Sequence, residues 1–236
     1  MEIFLIISLF FLIYIFFYKQ YSHEYSLNQL EFENLDKLNE LLYEKNPIVI
    51  RGAPPIPCVV PQTLVKTPRF SKILIDYLEK RDTTLPNSKQ FEIFLADETG
   101  FHAFGMHAWY PRFHSSIVSE YITSLKSKLC FGSKMLQKTS ALYNVIIPIT
   151  GKYICSIMNS EYEKSLPQSW KNIASIDGIM SQDKQIQYID VILKPGSILV
   201  LPAHWYYIMK EESPYSYYGI LEYHEPLTLF YDYLDN

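Results

Sequence analysis

Hydrophobic and polar positions alternate in three ways along the chain, and each predicts a different element. Ile3 to Tyr18 carries no charge and one small polar residue, Ser8, before Lys19 ends the run. Next, Asn34 stands where a cap belongs for a helix with Leu35, Leu38, Leu41 and Leu42 inward. Pro47–Arg51 reads as a short buried strand ending at Gly52, and Pro54, Pro55, Pro57 and Pro61 make an extended loop. Thr67-Pro68 resembles an N-cap with proline at the first helical position, ahead of Phe70, Ile73, Leu74, Tyr77 and Leu78 on one face. A third helix is predicted from about Ser116, with Ile117, Val118, Tyr121, Ile122 and Leu125 inward.

Beyond residue 140 the period changes to that of strands: Tyr143–Ile149, Tyr153–Met158, Tyr188–Leu193, Ile198–Leu201 and Tyr215–Tyr223. Turn signals at Thr150-Gly151 and at Lys194-Pro195-Gly196-Ser197 separate them. After Pro226, the residues Leu227, Phe230, Tyr231 and Leu234 suggest a short closing helix. Helices first and strands after predict an α+β fold, with an antiparallel sheet, sandwich or barrel in the C-terminal half.

The first run is apolar on every face, which fits a buried helix or membrane span better than an amphipathic surface helix. Its 16 residues cover about 24 Å as a helix, short of a hydrocarbon core of roughly 30 Å. Met1 extends the run, and Tyr14, Tyr18 and Lys19 can sit at the interface. A cleavable signal peptide would want a basic start and small residues at the cleavage site, where this chain has Met1-Glu2 and Phe16-Phe17-Tyr18-Lys19. A core helix and a signal peptide on a secreted structural domain are the competing readings. The expectation is a single-pass anchor in the lipid bilayer through residues 3–18. Lys19 after the run, the lack of any Asn-x-Ser/Thr acceptor and the odd cysteine count place the soluble domain in the cytosol.

Composition narrows the function classes. With 48% hydrophobic and 19% charged residues among 236, the chain has ample core material for one domain plus a tail. The 21 basic and 25 acidic side chains give −4 with no basic cluster, so a nucleic-acid partner lacks its electrostatic footprint. Cys58, Cys130 and Cys155 are too few and scattered for a disulfide scaffold or a thiolate zinc site. The 20 tyrosines are read as core and sheet packing.

Candidate chemistry is sparse. His102, His107 and His114 lie at steps of five and seven, and neither step stacks side chains on one helical face or one strand face. A loop could gather them, but surface or capping histidines fit the spacing better. No Gly-x-Ser-x-Gly elbow, Gly-x-Gly-x-x-Gly or Walker pattern is present, and no cysteine sits in a nucleophile signature.

Three stretches, in order, are specific. They are Glu44-Lys45-Asn46-Pro47-Ile48-Val49-Ile50-Arg51-Gly52, then Asn144-Val145-Ile146-Ile147-Pro148-Ile149-Thr150-Gly151-Lys152-Tyr153, then Leu193-Lys194-Pro195-Gly196-Ser197-Ile198-Leu199-Val200-Leu201-Pro202-Ala203-His204-Trp205-Tyr206-Tyr207. The first resembles the opening strand "Pro-Val-Val-Ile-Arg-Gly" of the JmjC/cupin-like proteins. The second is similar to that family's Asn-(apolar strand)-Gly-x-Lys hairpin. The third is similar to its "Leu-x-Pro-Gly-Asp-x-Leu-x-Ile-Pro-x-x-Trp-Trp-His". The resemblance spans roughly residues 44–224. It implies a double-stranded β-helix, or jelly-roll barrel, and in active members an Fe(II)- and 2-oxoglutarate-dependent oxygenase with a facial triad of ligands.

Carried over residue by residue, the resemblance puts its His-x-Asp ligands on Lys138 and Ser140, its distal histidine on Tyr207 and its 2-oxoglutarate lysine on Tyr153, with Lys152 one place early. An ammonium is a poor ligand, and hydroxyls are weak ligands for Fe(II) unless deprotonated. The resemblance therefore implies a degenerate member, a pseudoenzyme with no iron and no 2-oxoglutarate site. Its composition and Trp-Tyr-Tyr sequence are similar to proteins of large DNA viruses. The division expected is an anchor at 1–19, a linker and first helix at 20–43, and a JmjC/cupin-like domain at 44–236. The expected role is binding or scaffolding at a membrane, with Lys138, Ser140, Tyr153, Trp205 and Tyr207 lining a pocket. The alternative is an active oxygenase using Fe(II) and 2-oxoglutarate with non-standard ligands, drawn from His102, His107 or His114. On an extended strand, His204 is expected to point away from the barrel interior.

Overall fold

The computed structural model describes residues 2–18, 26–54, 92–94, 110–117, 124–167, 186–213 and 216–226, with single positions 68, 71, 72, 75, 79, 122, 173 and 228. Three α-helices are named here: α1 (Glu2–Tyr18), α2 (Leu38–Tyr43) and α3 (Tyr110–Ile117). Eleven strands accompany them: β1 (Asn28–Glu31), β2 (Ile48–Arg51), β3 (Glu92–Phe94), β4 (Ser124–Phe131), β5 (Lys134–Lys138), β6 (Tyr143–Thr150), β7 (Tyr153–Met158), β8 (Ile189–Leu193), β9 (Ser197–Pro202), β10 (Tyr206–Glu211) and β11 (Tyr217–His224). The fold is α+β and mostly β.

The strands form a seven-stranded sheet, ordered β1-β2-β9-β6-β11-β4-β3, and a four-stranded sheet, ordered β5-β10-β7-β8. All pairings are antiparallel except β1 with β2. Because side chains alternate across a strand, each sheet buries two faces. Between the sheets lie Ile146, Leu199, Tyr218 and Ile220 from one side and Tyr153, Cys155, Ile157, Tyr207 and Met209 from the other. The outer face of the larger sheet is covered by a 3₁₀ segment, α2 and α3, through Leu35, Leu38, Phe113 and Ile117. The outer face of the smaller sheet packs Leu136, Met158, Tyr206 and Ile208 under Ile186, with Tyr162 and Leu166 beside them. Strands buried on both faces need continuous apolar runs rather than alternation, and β6 and β9 have them.

Several expectations are corrected. Asn34 caps no helix: a 3₁₀ segment runs from Phe32 to Lys37, Asn34 lies inside it, and α2 follows. Leu35, Leu38 and Leu42 are nevertheless buried as their spacing requires. Of the helix expected from Ser116, Ser116 and Ile117 belong to α3, Val118 and Tyr121 lie outside the described residues, and Leu125 belongs to β4 rather than to a helix. The i, i+4 pair Phe113 and Ile117 turns inward from α3 instead. The run of strands of the C-terminal half therefore begins at Ser124 rather than after residue 140, and β10 occupies the Tyr206–Glu211 stretch. Pro68, Ser71, Lys72, Ile75 and Glu79 are helical, as expected of the segment after Thr67, while its apolar face lies outside the described residues. The prolines from Pro55 to Pro61 and most of the closing segment after Pro226 also lie outside them.

The N-terminal run forms a helix, α1, of 17 residues. That is about 25 Å at 1.5 Å per residue. Among the described residues no helix is long and apolar enough to cross a membrane. The side chains of Phe4, Leu5, Phe10 and Leu12 are exposed.

Candidate functional site

The five pocket residues expected from the sequence do not line one cavity. Lys138, at the end of β5, stands opposite Tyr206, and its ammonium lies 5.6 Å from the Tyr206 ring centre. It is ion-paired to Glu163 at 2.9 and 3.0 Å, on the outer face of the smaller sheet. Tyr207, one residue on from Tyr206, faces between the sheets, as does Tyr153. The ladder, however, pairs Tyr207 with Ile157 and Tyr153 with Glu211. The two tyrosines are thus four residues apart along the strands, or about 13 Å. Tyr153 packs edge-on against Tyr218, with ring centres 5.0 Å apart. Ser140 is half-buried in the connection after β5, and Trp205 is buried at the turn into β10 with its indole N–H donating to the Lys45 carbonyl at 3.3 Å.

That turn is built around Thr139. Its hydroxyl lies 2.7 Å from the Pro202 carbonyl and accepts from the Trp205 amide at 2.9 Å, while the His204 amide donates to the Thr139 carbonyl. His204 is therefore not on an extended strand: it sits in the turn at φ +69°, a left-handed conformation uncommon for a residue with a side chain. His114 lies on α3, against the outer face of the larger sheet, with its Nδ1 2.9 Å from the Tyr110 hydroxyl and 3.4 Å from that of Tyr223. Burial pushes its imidazole down from the ordinary value. His102 and His107 lie outside the described residues.

A different constellation occupies the space between the sheets, at the end where β4 and β6 begin and β11 finishes. On β11, Glu222 and His224 follow Tyr218 and Ile220 at two-residue steps and share their inward face. On β4, Lys126 and Lys128 share the face of Cys130, and on β6, Asn144 shares that of Ile146. Register places Lys126 and Asn144 on either side of Glu222, so Lys126, Glu222 and Asn144 form one row across three strands.

The Lys128 ammonium donates to Glu222 Oε1 at 2.7 Å, with both side chains mostly buried. His224 Nε2 is 3.9 Å from Glu222 Oε2. Burial alone would push the Glu222 carboxyl up. The His224 imidazole beside it, the hydrogen bond from Lys128 and the charges of Lys128 and Lys134 outweigh it and hold the carboxyl down at about 2. At neutral pH Glu222 is a carboxylate held by cations. Asn144 is 4% exposed, and its Oδ1 has no hydrogen-bond partner among the described residues. Elsewhere between the sheets, burial and the Asp190 carboxylate push the Cys155 thiol up, which leaves it a packing group rather than a nucleophile.

Among the described residues no three His, Cys, Asp or Glu side chains come together in a way that could hold a metal ion. Compared with known proteins, the chain matches no family model and no curated sequence. The mouth residues were missed because pairing Lys128 with Glu222 needs a register between positions 94 apart in the chain. A signal was present: Lys126 and Lys128 in phase with Cys130, and Glu222 in phase with Tyr218 and Ile220, are charges on strand faces otherwise apolar.

Proposed function

We propose that the chain is a membrane-attached binding module built on a double-stranded β-helix of the JmjC/cupin-like kind, without oxygenase activity. The strand order supports the barrel. The pairs β4/β11, β5/β10, β6/β9 and β7/β8 are those of one long two-stranded ribbon folded back on itself. Its further pairings, β6/β11 and β7/β10, join successive turns of the wound ribbon. Eight strands in two sheets with this order are what a jelly roll requires.

The observation that carries the binding reading is the fate of the ligand positions. Lys138 faces the outer side in an ion pair with Glu163, and Tyr207 is a buried phenol. Together with Ser140 they offer no imidazole and no carboxylate, so these residues do not fit a facial triad for Fe(II). Tyr153 likewise offers no cation for a 2-oxoglutarate carboxylate. Shape is retained and the metal chemistry is not, and fold alone carries no activity.

The test is thermal unfolding of the full chain under anaerobic conditions with Fe(II) and 2-oxoglutarate. A ligand that binds only the folded state raises the melting temperature by mass action. The expected result is no shift beyond that of the salt alone. A rise of several degrees that needs both additions would establish an unconventional iron site and overturn the reading.

Attachment to the bilayer is proposed through residues 3–18, with the soluble domain on the cytosolic side. Apolar surface left in water, such as that of the exposed Phe4, Leu5, Phe10 and Leu12, costs about 25 cal/mol per Å², and lipid removes that cost. The full chain is expected to float with neutral phosphatidylcholine vesicles at high salt, and the variant with Leu5→Lys and Phe10→Lys to stay behind. Flotation of both would place the attachment elsewhere.

A further inference from the structure

We draw no further inference here: the strongest candidate, the side-chain cluster of Lys128, Glu222 and Asn144 between the sheets where β11 finishes, belongs to the site already described, and the buried Asn144 amide oxygen, which any hydrogen-bond donor would satisfy, singles out no ligand.

Discussion

Glu222→Ala is expected to destabilise the protein by about 3 kcal/mol at pH 7, the low end for removing one partner of a buried ion pair. The reason is what remains. Lys128 is 18% exposed and loses the carboxylate it donates to, while the charge of Lys134 still acts on the same space. Replacing both partners, as Lys128→Met with Glu222→Leu, is expected to restore most of that loss, because apolar side chains fit the surroundings of Ile220 and Ile146. Acid should have the same effect as the alanine. The folded carboxyl is held at about 2, below the roughly 4.3 of an unfolded chain. Its stabilising contribution is therefore complete above about pH 4.3 and lost as the pH falls through 2. Urea unfolding of wild type and Glu222→Ala at pH 7, 5 and 3 checks this. The gap between the two curves should hold from pH 7 to 5 and begin to narrow at pH 3. A gap that does not change at the lowest pH would assign the loss to packing rather than to the ionised carboxylate.

Gly151→Ala is expected to be at least as damaging, at about 3 kcal/mol or more. Gly151 turns the chain from β6 into β7 at φ +83°, a conformation that costs a residue with a side chain about 1–2 kcal/mol. A methyl group there would also collide with the Ser216 hydroxyl and β-carbon, and Ser216 is itself fully buried and hydrogen-bonded to the Ser213 carbonyl. The two contributions separate in a double-mutant cycle. Ser216→Gly should relieve the collision and leave the backbone strain, so Gly151→Ala ought to cost only about 1–2 kcal/mol in that background. An equal cost in both backgrounds would show that the collision is avoided by a shift of the hairpin.

How much of this was legible in the sequence depended on how each strand is buried. β6, β9 and β11 follow the apolar runs closely, because strands buried on two faces leave little room for polar residues, and β7 and β8 were legible from their two-residue alternation. β4 did not announce itself. Its inward face carries Lys126 and Lys128, and Leu125 sits at helical spacing from Tyr121, Ile122 and Ile117, so the helical period won over the true two-residue one. β10 was recognised only as the Trp205-Tyr206-Tyr207 sequence. The single-residue phase of that strand, with Tyr207 inward and Tyr206 outward, agrees with the phase assumed for the distal ligand position. As a pocket residue, Lys138 was expected to face the interior, where an ammonium needs an anionic or hydrogen-bonding partner. The partner exists in Glu163, but on the opposite face, because Lys138 shares the phase of Leu136 and Tyr206. The mouth constellation was not legible at all. These charges meet only when β4, β11 and β6 lie side by side, and that order comes from strand pairing distant in the chain rather than from any one segment.

In the proposed function, a barrel of the oxygenase kind serves to bind and not to oxidise. The most direct measurement is succinate formation from 2-oxoglutarate by the full chain supplied with Fe(II), ascorbate and oxygen, set against the same mixture without protein. Lys138, Ser140 and Tyr207 at the ligand positions predict that the two will be equal over hours. Succinate above the protein-free level, abolished by EDTA and restored by Fe(II), would contradict the claim.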